Sequence, residues 1–370
     1  MKKKILFYYP NFSDGGVEKT NLLISESLSK KYDIYFLSNS FSKKFDYEIK
    51  KKKIKKIKLS SSRTVLSFFE LHKIFKKINP NIIFSVLTHA NVMALAVNAF
   101  FFKNKLKIIC CERLSAESYK SYFIKGKIII FLAKFFYKNA KKIICNSKEL
   151  CNEFKRLTKG NNVTHIYNPT LKLNFLSLSK KFVIKSKPFF PKEKPILFSL
   201  GRLDENKNHM MLLRAFNEIK EEIDCNIVIM GDGHKKIDLI NYARVNNFRK
   251  KLFIYNFKKN PYPFFLKSDI FILTSNYEGL PNVLIEALVL KKYIISTNSP
   301  TGPKEILLNG KSGFLVKRND YLDLSEKIKL FFYKRNFFLK KKKFYKKSLN
   351  QFSSKESLAR YKKIVEEIVQ

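Results

Sequence analysis

Residues 277–287 read Tyr-Glu-Gly-Leu-Pro-Asn-Val-Leu-Ile-Glu-Ala, and they follow a short apolar run from Ile270 to Leu273. The run predicts a buried strand, and Pro281 predicts the first turn of a helix, where its missing N–H costs nothing. The free N–H groups at that helix start would, together with the helix dipole, attract an anion such as phosphate. The stretch therefore predicts an α/β unit with a phosphate site at a strand end.

Two carboxylates flank this helix start. Glu278 precedes Gly279, and Glu286 lies about one turn inside the helix. Carboxylates accept paired hydrogen bonds from neighbouring hydroxyl groups, so one suits a sugar and the other suits a ribose on opposite sides of a phosphate. The structural alternatives are a charge that favours the helix start for Glu278 and an exposed helix position for Glu286.

A second glycine turn follows the strand predicted at Ile196 to Leu200, within the stretch Ser199–Asn208. Arg202 and Lys207 place two cations after this turn, and cations there suit the charge of a diphosphate. The sequence Gly231-Asp232-Gly233 follows the next predicted strand. Its glycines indicate either a tight turn or close approach of the backbone to a ligand.

The first half of the chain also contains predicted strands followed by glycine or polar residues and then by helices. Gly15-Gly16 follows a strand predicted at Ile5 to Tyr9 and opens a helix, which makes it a natural contact for an anion or a sugar. His89 follows the strand predicted at Ile82 to Leu87, and both a ligand contact and a structural role fit it. The glycine pattern is not the G-x-G-x-x-G of a dinucleotide site.

Strands that alternate with helices predict doubly wound parallel sheets. Further strands are predicted at 34–37, 107–111, 141–145, 226–230, 252–255 and 293–297. We predict an N-terminal Rossmann-like domain at 1–180, a linker at 181–195, a second Rossmann-like domain at 196–352 and a terminal helix at 353–370. Two such domains would face a central crevice, with the ligand at the carboxyl ends of the strands.

The composition bears on partners and location. The 370 residues include 74 basic and 30 acidic side chains, for a net charge of +44, and 45% are hydrophobic. Such a chain can bury cores, and its charge reflects an anionic partner, a codon bias towards lysine, or both. The five cysteines form no CxxC pair, which predicts reduced thiols in the cytoplasm and no zinc site.

Two apolar segments bear on membrane binding. The uncharged run 79–102 is long enough to span a bilayer, but Thr88, His89 and Asn91 would lie near its middle. A strand at 82–87, a loop at 88–91 and a helix at 92–102 are therefore predicted instead. The segment 120–142 interleaves lysines with apolar residues. It predicts a basic amphipathic helix on an anionic leaflet, or alternatively a core helix with lysine flanks.

Together these motifs resemble glycosyltransferase family 4. The resemblance rests on Glu278-x7-Glu286 with Gly-Leu-Pro-Asn between, on Gly201-Arg202-x4-Lys207-Asn208, and on Gly231-Asp232-Gly233. Gly15–Glu18 is similar to the amino-terminal glycine loop of that family, and Ser299–Ile306 is similar to a stretch of its surface-polysaccharide and glycan-assembly branches. The resemblance implies the two-domain GT-B fold and retaining sugar transfer from a nucleotide-diphosphate donor. It also implies that the first domain binds the acceptor, that the second binds the nucleotide sugar, and that the terminal helix at 353–370 crosses back to the first domain.

The resemblance also implies roles for individual residues. Glu278 would bind the transferred sugar, with His89 as a second catalytic candidate. The implied donor-binding residues are Gly16, Arg202, Lys207, Gly279, Leu280, Pro281, Asn282 and Glu286. Arg202 and Lys207 would hold the diphosphate and Glu286 the ribose, while Gly16 would lie near the donor phosphate and the acceptor.

The implied partners are a UDP-sugar, or a GDP-sugar as the second choice, and a saccharide or lipid-linked saccharide acceptor. No metal or other cofactor is expected, and the protein would work in the cytoplasm, peripherally on the inner face of an anionic membrane. Two alternatives stay open. One is a catalytically silent partner subunit, although the intact motifs with Glu278, Glu286, Arg202 and Lys207 argue against it. The other is a basic nucleic-acid binder, although the basic residues are spread along the chain and not concentrated in one stripe, which argues against it.

Overall fold

The computed structural model describes residues 2–12, 15–42, 49–50, 52–61, 63–120, 123–160, 162–170, 194–258 and 260–370. Contacts divide the chain into two compact units, of which unit 1 comprises Met1–Pro169 and Ser354–Gln370 and unit 2 comprises Thr170–Ser353. The domain boundary predicted at 180 and residues 181–193 of the predicted linker lie outside the described residues.

Unit 1 contains a seven-stranded parallel sheet in the order β3-β2-β1-β4-β5-β6-β7. Its central strands are continuous apolar runs because both of their faces are covered. The strands are β1 Lys4–Tyr9, β2 Asp33–Ser38, β3 Lys55–Lys58, β4 Ile82–Val86, β5 Ile108–Glu112, β6 Lys142–Cys145 and β7 Val163–His165. The helices before unit 2 are α1 Gly16–Leu28, α2 Phe68–Ile78, α3 Thr88–Phe102, α4 Glu117–Lys120, α5 Phe123–Phe136 and α6 Lys148–Thr158.

Unit 2 contains a six-stranded parallel sheet in the order β10-β9-β8-β11-β12-β13. Its strands are β8 Ile196–Leu200, β9 Asn226–Met230, β10 Leu252–Tyr255, β11 Ile270–Leu273, β12 Tyr293–Thr297 and β13 Phe314–Val316. Its helices are α7 His209–Asn217, α8 Lys236–Val245, α9 Tyr262–Lys267, α10 Asn282–Val289, α11 Pro303–Ile306, α12 Tyr321–Tyr333, α13 Asn336–Lys342 and α14 Tyr345–Leu349.

The last helix, α15 (Ser354–Val369), belongs to unit 1. Tyr361 and Val365 are buried in the same core as α1, on one face of the sheet, whereas α2, α3, α5 and α6 share the core on the other face. The Arg113 guanidinium donates a 3.3 Å hydrogen bond from Nη2 to the Tyr361 hydroxyl. Helices on both faces of each parallel sheet confirm the predicted α/β, doubly wound class.

The strand predicted at 82–87 is confirmed as β4, and the helix predicted at 92–102 is confirmed within α3. The loop predicted at 88–91 is wrong, because α3 already begins at Thr88 and the Leu87 carbonyl accepts a helical hydrogen bond from Asn91 N. Among the described residues, no helix combines the length and the apolar character needed to cross a bilayer. All five cysteines are buried and free, as predicted. A single amphipathic helix over 120–142 is wrong in its extent, because α5 ends at Phe136, a 3-10 turn covers Tyr137–Asn139, and Lys142 already begins β6.

Candidate active site

The candidate site of unit 2 lies where the strand order reverses, between β8 and β11. Two loops leave the carboxyl ends of these strands, one over residues 201–208 and the other over residues 274–281. Ligands of doubly wound sheets bind at such a reversal because the two loops diverge there and leave a crevice. All the predicted donor-binding residues except Gly16 and Glu286 lie on these two loops or at the start of α10.

The first loop rests directly on the Gly231-Asp232-Gly233 turn. A Cβ atom on Gly231 would overlap the carbonyl of Gly201, and one on Gly233 would overlap the carbonyl of Leu203. Backbone hydrogen bonds join Gly201 N to Met230 O at 3.0 Å and Leu203 N to Asp232 O at 2.9 Å. These glycines therefore serve close packing between the two turns, which is a third role beside the two that the sequence suggested.

Asparagine side chains tie the two loops together. Asn206 accepts a hydrogen bond from Tyr277 N at Oδ1 (3.0 Å) and donates one from Nδ2 to Tyr277 O (3.1 Å). Asn276 donates from Nδ2 to Glu205 O at 2.9 Å, and Thr274 donates from Oγ1 to Lys207 O at 2.9 Å. Sequence reasoning missed these residues, because each pair is separated by about seventy positions and no local pattern marks it.

Lys207 and Glu278 are brought into direct contact, with an ion pair and hydrogen bond between Lys207 Nζ and Glu278 Oε1. Glu278 is only 6% exposed. The backbone carbonyl of Glu278 accepts a 2.5 Å hydrogen bond from Thr301 Oγ1. A cation and a carboxylate are thus held side by side with little freedom, on loops that two different strands supply.

Arg202 occupies a different environment. Its side chain is 73% exposed and reaches Asp204, with 3.2 Å between Nη2 and Oδ2. The two cations that the sequence paired are therefore one partly buried lysine, held by Glu278, and one exposed arginine. An exposed pair of this kind holds its partner weakly, so Arg202 can turn to a ligand at little cost.

The helix start predicted from Pro281 is present, displaced by one residue. Pro281 is the residue before α10, with φ −70° and ψ 101°, and Asn282 is the first helical residue. Gly279, Leu280 and Pro281 are buried, whereas Asn282 is half-buried and accepts a 3.0 Å hydrogen bond from Thr170 Oγ1 at its Oδ1. The N–H groups of the first turn of α10 thus begin directly after the buried loop.

Glu286 is half-buried on α10 and lies near Tyr262 of α9. Burial raises the pKa of the Tyr262 hydroxyl, and the negative charge of Glu286 raises it further. The hydroxyl therefore stays protonated and can donate a hydrogen bond beside the carboxylate. Nothing in the sequence around Tyr262 marks it as a site residue.

Unit 1 places His89 at the start of α3, after a strained residue. Leu87 has φ 82°, a conformation that is costly for a leucine, and its backbone is held by hydrogen bonds to Cys111 O (3.1 Å) and from Asn91 N (2.9 Å). The His89 Nδ1 atom lies 3.4 Å from the Tyr119 hydroxyl. Burial lowers the pKa of His89, so its imidazole is neutral at pH 7 and can both donate and accept a hydrogen bond.

A buried carboxylate fixes the turn that carries His89. Glu112 is fully buried at the end of β5 and accepts hydrogen bonds from Thr88 Oγ1 (2.7 Å), from Asn91 Nδ2 (2.7 Å) and from the Tyr137 hydroxyl. Its pKa is raised because burial outweighs these bonds. Gly16, the other predicted residue of unit 1, is the first residue of α1, and its carbonyl accepts a 2.9 Å bond from Thr20 Oγ1.

His209 lies directly after the first loop of unit 2, and its burial makes the free energy of unfolding depend on pH. Its ring is buried, with Nδ1 3.2 Å from Ser199 Oγ, and burial lowers the pKa of His209 to about 4. An unfolded histidine has a pKa near 6.5, so between pH 6.5 and 4 only the unfolded chain takes up the proton. The free energy of unfolding is therefore expected to fall by up to about 3 kcal/mol as the pH drops through this window.

Urea unfolding of the wild type and of His209→Gln at pH 7.0 and pH 4.5 measures this contribution. The variant should lose less stability between the two pH values than the wild type, whatever its stability at pH 7. His165, whose pKa is also lowered to about 4 by burial, accounts for part of the slope that the variant retains. Equal pH dependence in both proteins would contradict the assignment.

Two family models match the chain in succession. The model described as Glycosyltransferase Family 4 matches residues 14–170, and the model described as Glycosyl transferases group 1 matches residues 180–350. The two matches together cover most of the chain.

Curated relatives and solved structures agree with these models. The N-acetylgalactosamine-N,N'-diacetylbacillosaminyl-diphospho-undecaprenol 4-alpha-N-acetylgalactosaminyltransferase of Campylobacter jejuni is 27% identical over 86% of this chain and 86% of its own length. A second Campylobacter jejuni protein, a GalNAc-alpha-(1->4)-GalNAc-alpha-(1->3)-diNAcBac-PP-undecaprenol alpha-1,4-N-acetyl-D-galactosaminyltransferase, is 26% identical over 90% of each chain. Anabaena HepE, solved in complex with UDP and glucose, matches 99% of this chain and 100% of its own with a TM-score of 0.77 at 14% identity.

The fold and the comparisons define a glycosyltransferase with the GT-B fold. The chain belongs to glycosyltransferase family 4, as the motifs around Glu278 and Lys207 indicated.

Proposed function

We propose that this glycosyltransferase moves a sugar from a nucleotide-diphosphate donor to its acceptor with retention of the anomeric configuration. The observation that carries the proposal is the contact between Lys207 and Glu278 at the carboxyl ends of β8 and β11, beside the start of α10. A lysine and helix N–H groups suit a diphosphate, and a carboxylate beside them suits the hydroxyls of the sugar that the diphosphate carries.

The remaining residues of unit 2 complete this donor site. Arg202 would swing from Asp204 to the diphosphate, and Glu286, beside Tyr262, would accept hydrogen bonds from the ribose hydroxyls. The backbone of Gly279, Leu280, Pro281 and Asn282 would line the sugar and phosphate. Glu278 would hold the sugar hydroxyls, with Lys207 shared between it and the diphosphate.

In the proposed reaction the bond between the anomeric carbon and the diphosphate oxygen breaks, and the acceptor hydroxyl oxygen bonds to the same face of that carbon. The acceptor proton leaves with the diphosphate. Arg202, Lys207 and the start of α10 stabilise the leaving charge as preorganised electrostatics, so we propose that no resident metal or cofactor is needed. The neutral imidazole of His89 and the backbone at Gly16 are the contributions we propose from unit 1.

We propose a UDP-sugar as donor, with a GDP-sugar as second choice, and a saccharide or lipid-linked saccharide acceptor in the assembly of bacterial polysaccharides or envelope glycans. The UDP in the HepE complex supports a UDP-sugar as donor. The undecaprenol-linked acceptors named for the two Campylobacter relatives support a lipid-linked acceptor. Nucleic acid is not a proposed partner.

A lipid-linked acceptor places the reaction at a membrane, and we propose that the protein acts in the cytoplasm at the anionic inner face. The helix α5 supports this location. Ile124, Ile128, Phe131 and Phe135 are exposed along one face of it, at helical spacing. The segment 123–142 contains six lysines and no acidic residue. This apolar face, named the α5 stripe here, suits insertion at the level of lipid headgroups.

Thermal unfolding with UDP, GDP, ADP and their sugar conjugates tests the donor site. One nucleotide at a hundredfold excess over its Kd should raise Tm by about 5–10 °C, because bound ligand then adds about 2.7 kcal/mol. Arg202→Ala and Glu286→Ala should lose this shift, whereas Arg244→Ala, at an exposed position on α8, should retain it. Stabilisation by no nucleotide would favour the alternative, a catalytically silent partner subunit.

A further inference from the structure

Unit 1 has a second exposed apolar surface that the proposed function does not use. Among its described residues, the large exposed apolar side chains outside the α5 stripe all lie on the 3-10 turn Thr64–Ser67, on α2 or at the end of α3. We name this group the aromatic corner, and its members are Val65, Leu66, Phe69, Phe100 and Phe101.

The rings of the aromatic corner pack on one another or on two half-buried neighbours, Phe68 and His72. The Phe69 and Phe101 ring centroids lie 6.0 Å apart, and Phe68 lies 5.3 Å from Phe101 and 6.0 Å from Phe100. His72 stacks on Phe101 at 4.2 Å. Phe69 is nevertheless 68% exposed and Phe100 71% exposed. Rings that already contact neighbouring rings have less side-chain freedom left to lose when a partner covers them than isolated rings would have.

Exposed cations flank the residues of the aromatic corner in the sequence. Arg63, Lys73, Lys103 and Lys105 are exposed next to it in sequence. The segments 63–78 and 92–107 contain one acidic residue, Glu70, whose carboxylate is occupied by Ser60 N at 2.7 Å and by Ser61 Oγ at 3.0 Å. Exposed apolar rings on segments rich in cations are complementary to an anionic lipid surface, because the cations can meet the headgroups while the rings enter the acyl boundary.

The corner and the α5 stripe lie on the same helical layer. Helices α2, α3 and α5 pack into one core on the same face of the sheet, and α3 packs against both of the others. One amphipathic helix on a membrane leaves the protein free to roll about the helix axis. A second contact on the neighbouring helices removes that freedom and holds unit 1, with His89, at one angle to the leaflet.

We propose that the aromatic corner is a second membrane contact, which inserts into the same anionic leaflet as the α5 stripe and fixes the orientation of unit 1. The proposal rests on the proposed function, because a lipid-linked acceptor is what makes orientation on a leaflet useful. Lipid is the proposed occupant of the corner. A second copy of the chain covering the corner is the competing outcome.

Co-sedimentation with vesicles of phosphatidylcholine and 30% phosphatidylglycerol tests the proposal, with pure phosphatidylcholine for comparison. The double variant Phe69→Ser/Phe100→Ser should bind the anionic vesicles at least about tenfold more weakly than the wild type, since each substitution removes a large apolar side chain from the contact. Ile128→Ser/Phe131→Ser on the α5 stripe should be similarly weakened. Ile237→Ser/Val245→Ser, on α8 of unit 2, removes equally exposed apolar groups and should bind as the wild type does.

Three results would overturn the proposal. If the corner variant binds like the wild type while the α5 variant is weakened, the corner is not a membrane contact but the proposed membrane location stands. If the wild type ignores anionic vesicles at low salt, the membrane location itself fails. If light scattering shows a wild-type dimer that the corner variant abolishes without a change in vesicle binding, a second copy covers the corner. Equal Tm values of the three variants and the wild type establish that all are folded.

Discussion

Glu278→Gln is expected to lower kcat/KM by about 10²- to 10³-fold. The carboxylate is almost fully buried against Lys207, so the two hydrogen bonds it would accept from the donor sugar are charge-assisted and shielded from water. Bonds of that kind are each worth about 1.5–3 kcal/mol. Glutamine keeps the shape and one acceptor but loses the charge, and it leaves the Lys207 ammonium without its partner.

Transfer from the nucleotide sugar that stabilises the protein measures this effect, and NMR of the product gives the anomeric configuration, which retention requires to match that of the donor. Glu222→Gln is the matched control, because Glu222 is exposed and pairs with Lys329 through a 2.8 Å ion pair. Activity of Glu278→Gln within threefold of the control would refute the role of Glu278. An inverted product would refute the retaining mechanism alone.

Gly302→Ala is expected to remove most of the activity, about 10²-fold or more, and to lower the free energy of unfolding by about 1–3 kcal/mol. Gly302 has φ +92°, and an added Cβ would lie 2.6 Å from Gly279 O and 2.8 Å from Pro281 Cδ. The backbone cost accounts for the lost stability. The contact would push the loop after Glu278 away from the donor, and a misplacement of about 1 Å costs about 10²-fold in rate.

Gly310→Ala separates these two causes. Gly310 has nearly the same backbone conformation, with φ +86°, but its added Cβ would meet only Gly313 O, at 3.7 Å. This variant should lose stability and keep its activity when both are assayed below their unfolding temperatures. Equal loss of activity in the two variants would mean that general destabilisation, and not displacement of the Glu278 loop, is responsible.

The central strands were predictable from sequence because each is a short, continuous apolar run that is buried on both faces. Of the four strands at the edges of the two sheets, only β10 was predicted, from its apolar run Leu-Phe-Ile-Tyr. The other three, β3, β7 and β13, were not. Strand β3 reads Lys-Lys-Ile-Lys and is largely exposed, and β7 and β13 contain three residues each. Their strand conformation comes from pairing with a neighbour in the sheet, and a local pattern carries little of that information.

The residues of the candidate site likewise fall into two groups, those that a local sequence motif identifies and those that it does not. Glu278, Lys207 and the start of α10 stand within short motifs whose chemistry can be read locally. The groups that hold them in place come from far along the chain, as with Thr301 beneath Glu278 and Asn206 across from Tyr277. Glu112 also could not be recognised, because only its burial distinguishes it from a surface glutamate.

The membership of α15 in unit 1 has a consequence for biosynthesis. Lys3, directly before β1, donates a 2.9 Å hydrogen bond from Nζ to Val369 O at the end of α15, so the beginning of unit 1 contacts its final helix. The core around β1 needs Tyr361, Val365 and Ile368 to close. These residues are synthesised after all of unit 2, so unit 2 can complete its fold while unit 1 still lacks part of its core. The amino-terminal half of the chain therefore cannot close its core before the whole of unit 2 has been made.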